Sequence, residues 1–259
     1  MNVVFGMNSK PLVSVVMPAY NCQRYIEAAI RSVMDQSCRD WELIVVDDLS
    51  DDSTSELVHK LSETDNRIRL VENEVNMGAA ESRNRGLELS LGEYVAFLDS
   101  DDLWHPEKLE RQLQRMQESG ADISYTSYSI IDENGNSCKS DYIVSCKSTF
   151  DELLKENFIG CSTVMITRKI AEKYRFTKEF YHEDYCLWLD ILRDGYESAG
   201  CTEVLVDWRF LSNSRSYDKK GSAINRYKIY RKHLGFSVLK SIKLMVYYTV
   251  RGIKKYMRK

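Results

Sequence analysis

At 259 residues the chain is long enough for one large domain or two small ones, at roughly 150 residues per domain, with a sizeable buried core. Hydrophobic residues at 43%, charged residues at 29%, and only 12 glycines and 3 prolines exclude collagen-like and low-complexity architectures. Seven scattered cysteines (Cys22, Cys38, Cys138, Cys146, Cys161, Cys186, Cys201), none in a C-x-x-C pair, indicate neither a disulfide framework nor a zinc cluster and predict a reducing, cytoplasmic setting. The opening MNVVFGMNSK lacks the basic start and the apolar run of a signal peptide, so no export is expected.

In chain order, Val13 to Met17 is a continuous apolar run suited to a strand covered on both faces, and Ile26, Ile30, Val33 and Met34 then recur at helical spacing. Leu43 to Val46 reads as a second strand ending in Asp47 and Asp48, after which Asp52, Ser53 and Thr54 offer capping groups for a helix through Leu61. Ile68 to Val71 reads as a third strand, Asn76-Met77-Gly78 as a turn, Ala79 to Ser90 as a helix and Tyr94 to Leu98 as a fourth strand. Pro106 suits the first turn of a helix reaching about Ser119. Ile123 to Ile131, followed by the turn residues Asp132 to Asn136, predicts a strand pair. Thr149 and Glu152 have capping-box spacing, Ser162 to Thr167 reads as a strand, and Glu183 to Arg193 as a helix closed by Gly195.

This alternation predicts an α/β fold: one compact domain over 10–211, with a nucleotide-type front half (10–105) and a substrate-specific back half (106–211), then a loop and tail over 212–259. Right-handed crossovers between consecutive parallel strands carry their C-terminal loops to one sheet edge, where open α/β sheets bind ligands. Residues near 18, 48 and 99 are therefore expected to share a cleft.

Four clusters could carry chemistry there. Asp99, Asp101 and Asp102 crowd three carboxylates whose repulsion a divalent ion would relieve, and hard oxygen ligands suit Mg2+ or Mn2+; the alternative is a solvated turn capping the next helix. Asp47-Asp48 could accept from a ribose hydroxyl or a base N–H, or cap the following helix. Two apolar strands ending in unpaired acids are hard to explain by capping alone. Arg83 could direct its guanidinium toward a diphosphate, or lie on a surface helix beside a Glu81–Arg85 i,i+4 pair. Glu183 and Asp184, after His182, could sit at a helix N-terminus because its dipole favours them, or Asp184 could serve as a general base toward a hydroxyl.

Together these segments resemble the family-2 glycosyltransferases of the GT-A fold. The likeness runs through Val16-Met17-Pro18-Ala19-Tyr20-Asn21, Trp41 to Asp48, Asn76-Met77-Gly78 with Ala80 to Gly86, Gly92-Glu93-Tyr94 with Phe97 to Asp102, and Glu183-Asp184-Tyr185. It implies a mostly parallel sheet with a Rossmann-like nucleotide-binding half and an acceptor half. It also implies transfer of a sugar, with inversion, from a nucleoside diphosphate donor that is usually uridine-linked. Pro18, Ala19 and Tyr20, with Asn21 beside them, and Asp48 match positions that hold the nucleobase and ribose. Gly78 and Arg83 match the part of the pattern beside the nucleotide. Asp99-Ser100-Asp101 matches the D-x-D motif, with Asp101 and Asp99 as ligands of Mn2+ or Mg2+. Asp184 matches the general base and Glu183 shapes the acceptor site; Arg215 and Lys219 fall in a stretch that resembles a loop closing over the diphosphate. Leu49 stands where the family commonly has a small or polar residue. A metal-dependent nucleotidyltransferase or phosphatase, and a non-catalytic membrane-bound nucleotide-sugar binding protein, are the competing classes.

The net charge of −3 hides a split, because 219–259 holds 13 Lys and Arg and no Asp or Glu, leaving 23 basic against all 39 acidic residues and a body near −16. Apolar and aromatic positions alternate with the cations along 224–259, the composition of an interfacial helix on an anionic leaflet. The longest uncharged apolar stretch, Leu244 to Val250, is too short to span a bilayer. This predicts a peripheral protein on the inner face of the cytoplasmic membrane with a lipid-linked saccharide acceptor, as in bacterial surface-polysaccharide synthesis. The other uses of the stretch are packing on the body or a homodimer contact. No RNP-like or zinc-knuckle motif is present, so no nucleic acid partner is expected.

Overall fold

The computed structural model describes residues 10–211 and 219–257, with side-chain surroundings for 10–211 and 221–250. The first half alternates strand and helix: β1 (Val13–Ala19), α1 (Ile26–Met34), β2 (Trp41–Asp47), α2 (Thr54–Thr64), β3 (Ile68–Glu72), α3 (Ala79–Leu89) and β4 (Tyr94–Phe97). Strands β3, β2, β1 and β4 lie side by side and parallel. Every residue of β1 and of β2 is buried, as expected of parallel strands with helices on both faces. Pleating sends Val15 and Met17 into one core, with Ile26, Ile30 and Val33 of α1, and Val16 into the other, with Leu87 of α3.

The second half extends the same sheet. It comprises β5 (Leu103–Trp104), α4 (Lys108–Ser119), β6 (Ile123–Ile131), β7 (Ser137–Tyr142), α5 (Phe150–Lys155), β8 (Met165–Thr167), α6 (Arg168–Lys173), α7 (Glu183–Arg193) and β9 (Ser198–Arg209). Strand β8 joins the halves, pairing antiparallel with both β4 and β6, while β9 runs parallel to β6 and pairs antiparallel with β5. The expected strand over 162–167 is shorter: Cys161–Thr163 forms a 3-10 turn and only Met165–Thr167 pairs. That turn lets Ser162 point its hydroxyl at the acidic loop after β4 and its carbonyl at the indole N–H of Trp104 in β5.

Local chemistry sets the boundaries. Thr149 and Glu152 form the expected capping box, and Gly120 ends α4 in the left-handed conformation at φ 67°. The predicted strand pair is the β6–β7 hairpin, whose turn is held by Asp132 Oδ1 accepting from Asn134 N and Asn136 N at 2.9 Å each.

Beyond the sheet come α8 (Lys219–Lys228), a π-helical turn (Ile229–His233) and α9 (Val238–Met257). The stretch set apart in the sequence as a tail from 212 contributes Ile229, Tyr230 and Leu244 to the same core as Phe97 and Trp188. Tyr230 Oη donates to Leu154 O at 2.6 Å, pinning the π-helical turn to α5. The opposite face of α9 is open, with Leu239 82%, Ile242 50% and Val246 57% exposed. Among the described residues no helix is long and apolar enough to cross a membrane.

Candidate active site

A cleft of about 780 Å³ opens along the C-terminal edge of β1, β2 and β4. It is lined by Pro18, Ala19, Tyr20, Asn21, Asp48, Gly78, Arg83, Asp99, Ser100, Asp101, Glu183 and Asp184. Of the residues that the family resemblance placed at the site, two are not among them: Arg215 lies outside the described residues, and Lys219 opens α8 with its side chain outside them. Asp47 and Asp102, the other acids of the two strand-end clusters, do not line the cleft. The predicted meeting of residues 18, 48 and 99 is found.

Asp48 is not the unpaired acid that its strand-end position suggested. Its Oδ1 accepts from Asn73 Nδ2 at 2.7 Å and Met77 N at 2.9 Å, and its Oδ2 from Gly78 N at 2.7 Å. The carboxylate thus fastens the 76–78 turn, where Gly78 adopts φ 85°, a conformation that favours glycine, and launches α3 into the cleft. Asp47 closes its own loop, accepting from Ser50 N at 3.0 Å and Ser50 Oγ at 2.5 Å, while Asp52 accepts from Thr54 N at 2.9 Å at the start of α2. Between them Leu49 sits at φ 64° and 51% exposed, so its side chain faces solvent from a strained backbone.

Arg83 is buried rather than on a surface helix face. Its Nη2 stands 2.6 Å from Asp99 Oδ1 and its Nη1 2.7 Å from Glu183 Oε1, so one guanidinium joins the loop after β4 to the start of α7. The i,i+4 alternative fails because Arg85 turns away to donate to Glu72 O at 2.7 Å and to Asn73 Oδ1. The two acidic segments are brought together by aromatic packing: Phe97 of β4 lies 5.9 Å from Trp188 of α7, and Phe176 packs edge-on to both, 5.2 Å from Phe97 and 6.0 Å from Trp188.

The acidic loop does not cap α4, which starts after Glu107 with no side-chain cap. Asp102 is buried and fully used, accepting from Ser162 Oγ at 2.5 Å and Arg209 N at 2.7 Å. Burial, then the charges of Asp101 and Asp99, hold its carboxyl well above the usual range. Arg209 Nε donates to Asp101 O at 2.7 Å, fixing the loop from β9. Asp101 is pushed up to about 6, first by burial and next by Asp99. Burial and Asp99 thus make this acid harder to ionise than an ordinary carboxyl, and a divalent cation would relieve the conflict. Among the described residues no group of three or more His, Cys, Asp and Glu side chains closes a metal cage. The donor set therefore fits an ion held by Asp101 and Asp99 and completed by phosphate oxygens and water, a usual mode for Mg2+.

Asp184 is pushed up to about 7, by burial first and the Glu183 charge second, while its Oδ1 accepts from Tyr185 N at 2.7 Å. Beside it His182 is pushed down to about 4 by burial and by the Arg226 cation, so the imidazole is neutral.

Several lining residues were missed from sequence. Tyr128, Trp208 and Arg209 come from β6 and β9, and Asn157 to Thr163 from the connection into β8. The placement of Tyr128, Trp208 and Arg209 depends on the long β6–β9 pairing, for which no local motif gives a cue.

The chain matches the family model described as "Glycosyl transferase family 2" over residues 14–175. It is 39% identical over 248 residues to the "Putative teichuronic acid biosynthesis glycosyltransferase TuaG" of Bacillus subtilis (strain 168), covering 96% of this chain and 98% of that protein. It is also 39% identical over 250 residues to the "UDP-Glc:alpha-D-GlcNAc-diphosphoundecaprenol beta-1,3-glucosyltransferase WfgD" of Escherichia coli, covering 95% of each. Among solved structures, S. aureus TarS 1-349 in complex with UDP-GlcNAc matches with TM-score 0.73 at 19% identity, over 92% of this chain and 71% of that one. The mannosyltransferase PcManGT from Pyrobaculum calidifontis, in complex with GDP-Man and Mn2+, matches with TM-score 0.68 at 20% identity, over 88% and 66%. At these identities the two structures share the fold with this chain.

Proposed function

Because this chain belongs to glycosyl transferase family 2 and is a glycosyltransferase, we propose that it transfers a sugar, with inversion, from a uridine diphosphate sugar to a hydroxyl of a lipid-linked saccharide in bacterial surface-polysaccharide synthesis. The observation that carries the reading is the convergence of Asp101 and Asp184 on one cleft, with Arg83 bonded both to Asp99 and to Glu183. The E. coli relative's name supplies the candidate donor and acceptor class, a UDP-linked glucose and a diphosphoundecaprenol-linked sugar.

On this reading Pro18, Ala19 and Tyr20 wall the base and ribose, and Asp48 holds the 76–78 turn against them. Asp101 and Asp99 would hold Mn2+ or Mg2+, which when bound offsets the negative charge growing on the departing diphosphate. Asp184 takes the proton of the acceptor hydroxyl; raised to about 7, its carboxyl is matched to that task near neutral pH. A single base suffices because the leaving diphosphate needs no proton donor, and attack opposite the leaving group inverts the anomeric centre. Glu183, bonded to Arg83, remains an acceptor-side wall and is not free to compete for that proton.

The exposed apolar residues of α9, interleaved with Lys240 and Lys243 and followed by further cations, support peripheral binding to an anionic leaflet, each nearby cation contributing about 1 kcal/mol. A panel of nucleotide sugars with Mn2+ or Mg2+, scored for nucleoside diphosphate release and thermal stabilisation, tests the donor. If no sugar nucleotide is turned over or raises the melting temperature, the donor assignment fails. Flotation with anionic liposomes, before and after removal of 236–259, tests the membrane face; flotation that is unchanged by the truncation would count against it.

A further inference from the structure

The residues on either side of Asp184 are gripped by one helix. In α8, Asn225 Oδ1 accepts from Tyr181 N at 3.0 Å, and Arg226 Nη1 donates to Tyr185 Oη at 3.1 Å. Both side chains belong to buried residues, Asn225 at 8% and Arg226 at 3% exposure. The Arg226 guanidinium lies between two rings, 4.4 Å from that of Tyr185 in α7 and 4.2 Å from that of Tyr248 in α9. Its Nη1 also reaches Tyr230 Oη at 3.3 Å. The tyrosines pass the load to backbone, Tyr185 Oη donating to Leu153 O at 3.0 Å and Tyr230 Oη to Leu154 O at 2.6 Å.

Among the described residues no carboxylate pairs with Arg226; phenol oxygens and aromatic faces hold its cation. A buried cation without a counter-charge is a costly way to fill space, and an apolar side chain would pack there at lower cost. What the cation provides is direction, because its planar fork meets Tyr185 at a fixed angle. Direction matters here because the position of the Asp184 carboxylate follows from how the start of α7 is held. His182 gives α7 no side-chain cap, and Glu183 is bonded to Arg83 across the cleft.

We propose that Asn225 and Arg226 are positioning residues for Asp184. Asn225 fixes the backbone before the base and Arg226 fixes the residue after it, so the α8–α9 layer sets where the carboxylate stands in the cleft. The proposal rests on Asp184 being the base, and it makes the C-terminal helices part of the transfer machinery.

The test uses the full chain with Mn2+, UDP-glucose as donor and a synthetic N-acetylglucosaminyl-diphospho-lipid as acceptor, with UDP release as the rate and thermal shift with UDP and Mn2+ as the binding readout. A misplacement of about 1 Å costs a reaction on the order of 100-fold. Arg226→Met and Asn225→Ala should therefore lower kcat by tenfold or more, while UDP affinity and the KM for UDP-glucose stay within about twofold. Arg226→Lys, which keeps a cation between the rings, should recover part of the loss. Folded Arg226→Met and Asn225→Ala proteins with wild-type kcat overturn the proposal, and so does a parallel loss of kcat and UDP affinity. If Arg226→Met does not fold, Asn225→Ala and Tyr248→Leu decide by the same criterion. Asp184→Asn run alongside separates the two readings. Full turnover in that variant, or no UDP release by the wild type, removes the base assignment and this proposal with it. An inactive Asp184→Asn beside normal α8 variants removes the positioning role alone.

Discussion

Arg83 Nη1 donates to Glu183 Oε1 at 2.7 Å, joining two side chains only 6% and 10% exposed that stand 100 positions apart. The same guanidinium holds Asp99, so two acids of opposite walls share one cation. Removing it leaves both uncompensated, and breaking such a buried pair costs about 3–5 kcal/mol. Arg83→Met should therefore lower stability by that order in chemical denaturation and abolish nucleoside diphosphate release. Arg83→Lys should fold better yet remain impaired, since one ammonium cannot reproduce the fork that bonds both carboxylates. Wild-type stability and turnover in Arg83→Met would show that the arginine does not hold the site together.

The raised Asp184 carboxyl sets the pH dependence. In the unfolded chain this group releases its proton near 3.8, while in the fold it does so near 7. Between those values the native state holds a proton that the unfolded state has lost, so stability falls as pH rises through that window and is unaffected below it. Activity runs the other way, because the base must be ionised. The acid limb of kcat/KM should rise with a midpoint near 7, and Asp184→Asn should lower turnover on the order of 10²–10⁴-fold without weakening UDP binding. A flat profile from pH 6 to 8 would set this assignment aside.

Asp101 adds a second, separable dependence. Its carboxyl, pushed up to about 6, must lose its proton before it can ligate a cation. Thermal stabilisation by UDP with Mn2+ should accordingly fade as pH falls through about 6, and Asp101→Asn should lose the metal-dependent part at every pH. Stabilisation that is equal at pH 5 and pH 8 would place the metal on other groups.

Gly92 lies at the other end of β1 from the cleft, and it offers a control. A Cβ built there would stand 2.5 Å from Ser14 N and 2.8 Å from Val13 C, atoms of the strand backbone that cannot turn aside. Its amide also donates to Ser14 Oγ at 2.8 Å, and its carbonyl accepts from Arg168 Nε at 2.8 Å. Gly92→Ala should cost about 1–3 kcal/mol through overpacking, while the folded fraction keeps its turnover per molecule. A melting temperature equal to that of the wild type would mean the strand yields more easily than its close packing implies.

These sites differ in how far the chain announces them. Strands β1 and β2 and helix α1 could be read directly, because burial on both faces demands unbroken apolar runs and a core-facing helix repeats its apolar residues every three or four positions. Arg83 could not be read as buried, since Glu81 and Arg85 offered a surface pair at the right spacing and the real partners come from α7 and the end of β4. Strand β9 escaped notice because its pairing is with β6, more than seventy positions earlier, and pairing over such a distance leaves little local pattern. The cations of 219–259 suggested an interfacial helix and left packing on the body as an alternative; that Ile229, Tyr230 and Leu244 are interior residues depends on neighbours only the fold supplies.

Asp48 gives the sharpest test of whether a strand-end acid works through its ligand or through its loop. The three donors that meet its carboxylate are the protein's own, and two are backbone amides of the 76–78 turn from which α3 departs. Asp48→Asn puts an amide N–H2 against one of those donors, and each buried group left unsatisfied costs about 1–3 kcal/mol. Stability and UDP affinity should therefore fall together. Asn73→Ala supplies the discriminating arm, because Asn73 is buried behind Asp48, bonded to it and to Ser82, and is absent from the cleft lining. If Asp48 acts by holding the turn, loss of that support should weaken UDP binding in the same direction as Asp48→Asn, by a smaller factor. Unchanged UDP affinity in Asn73→Ala beside a large loss in Asp48→Asn would instead assign Asp48 a direct contact with the nucleotide.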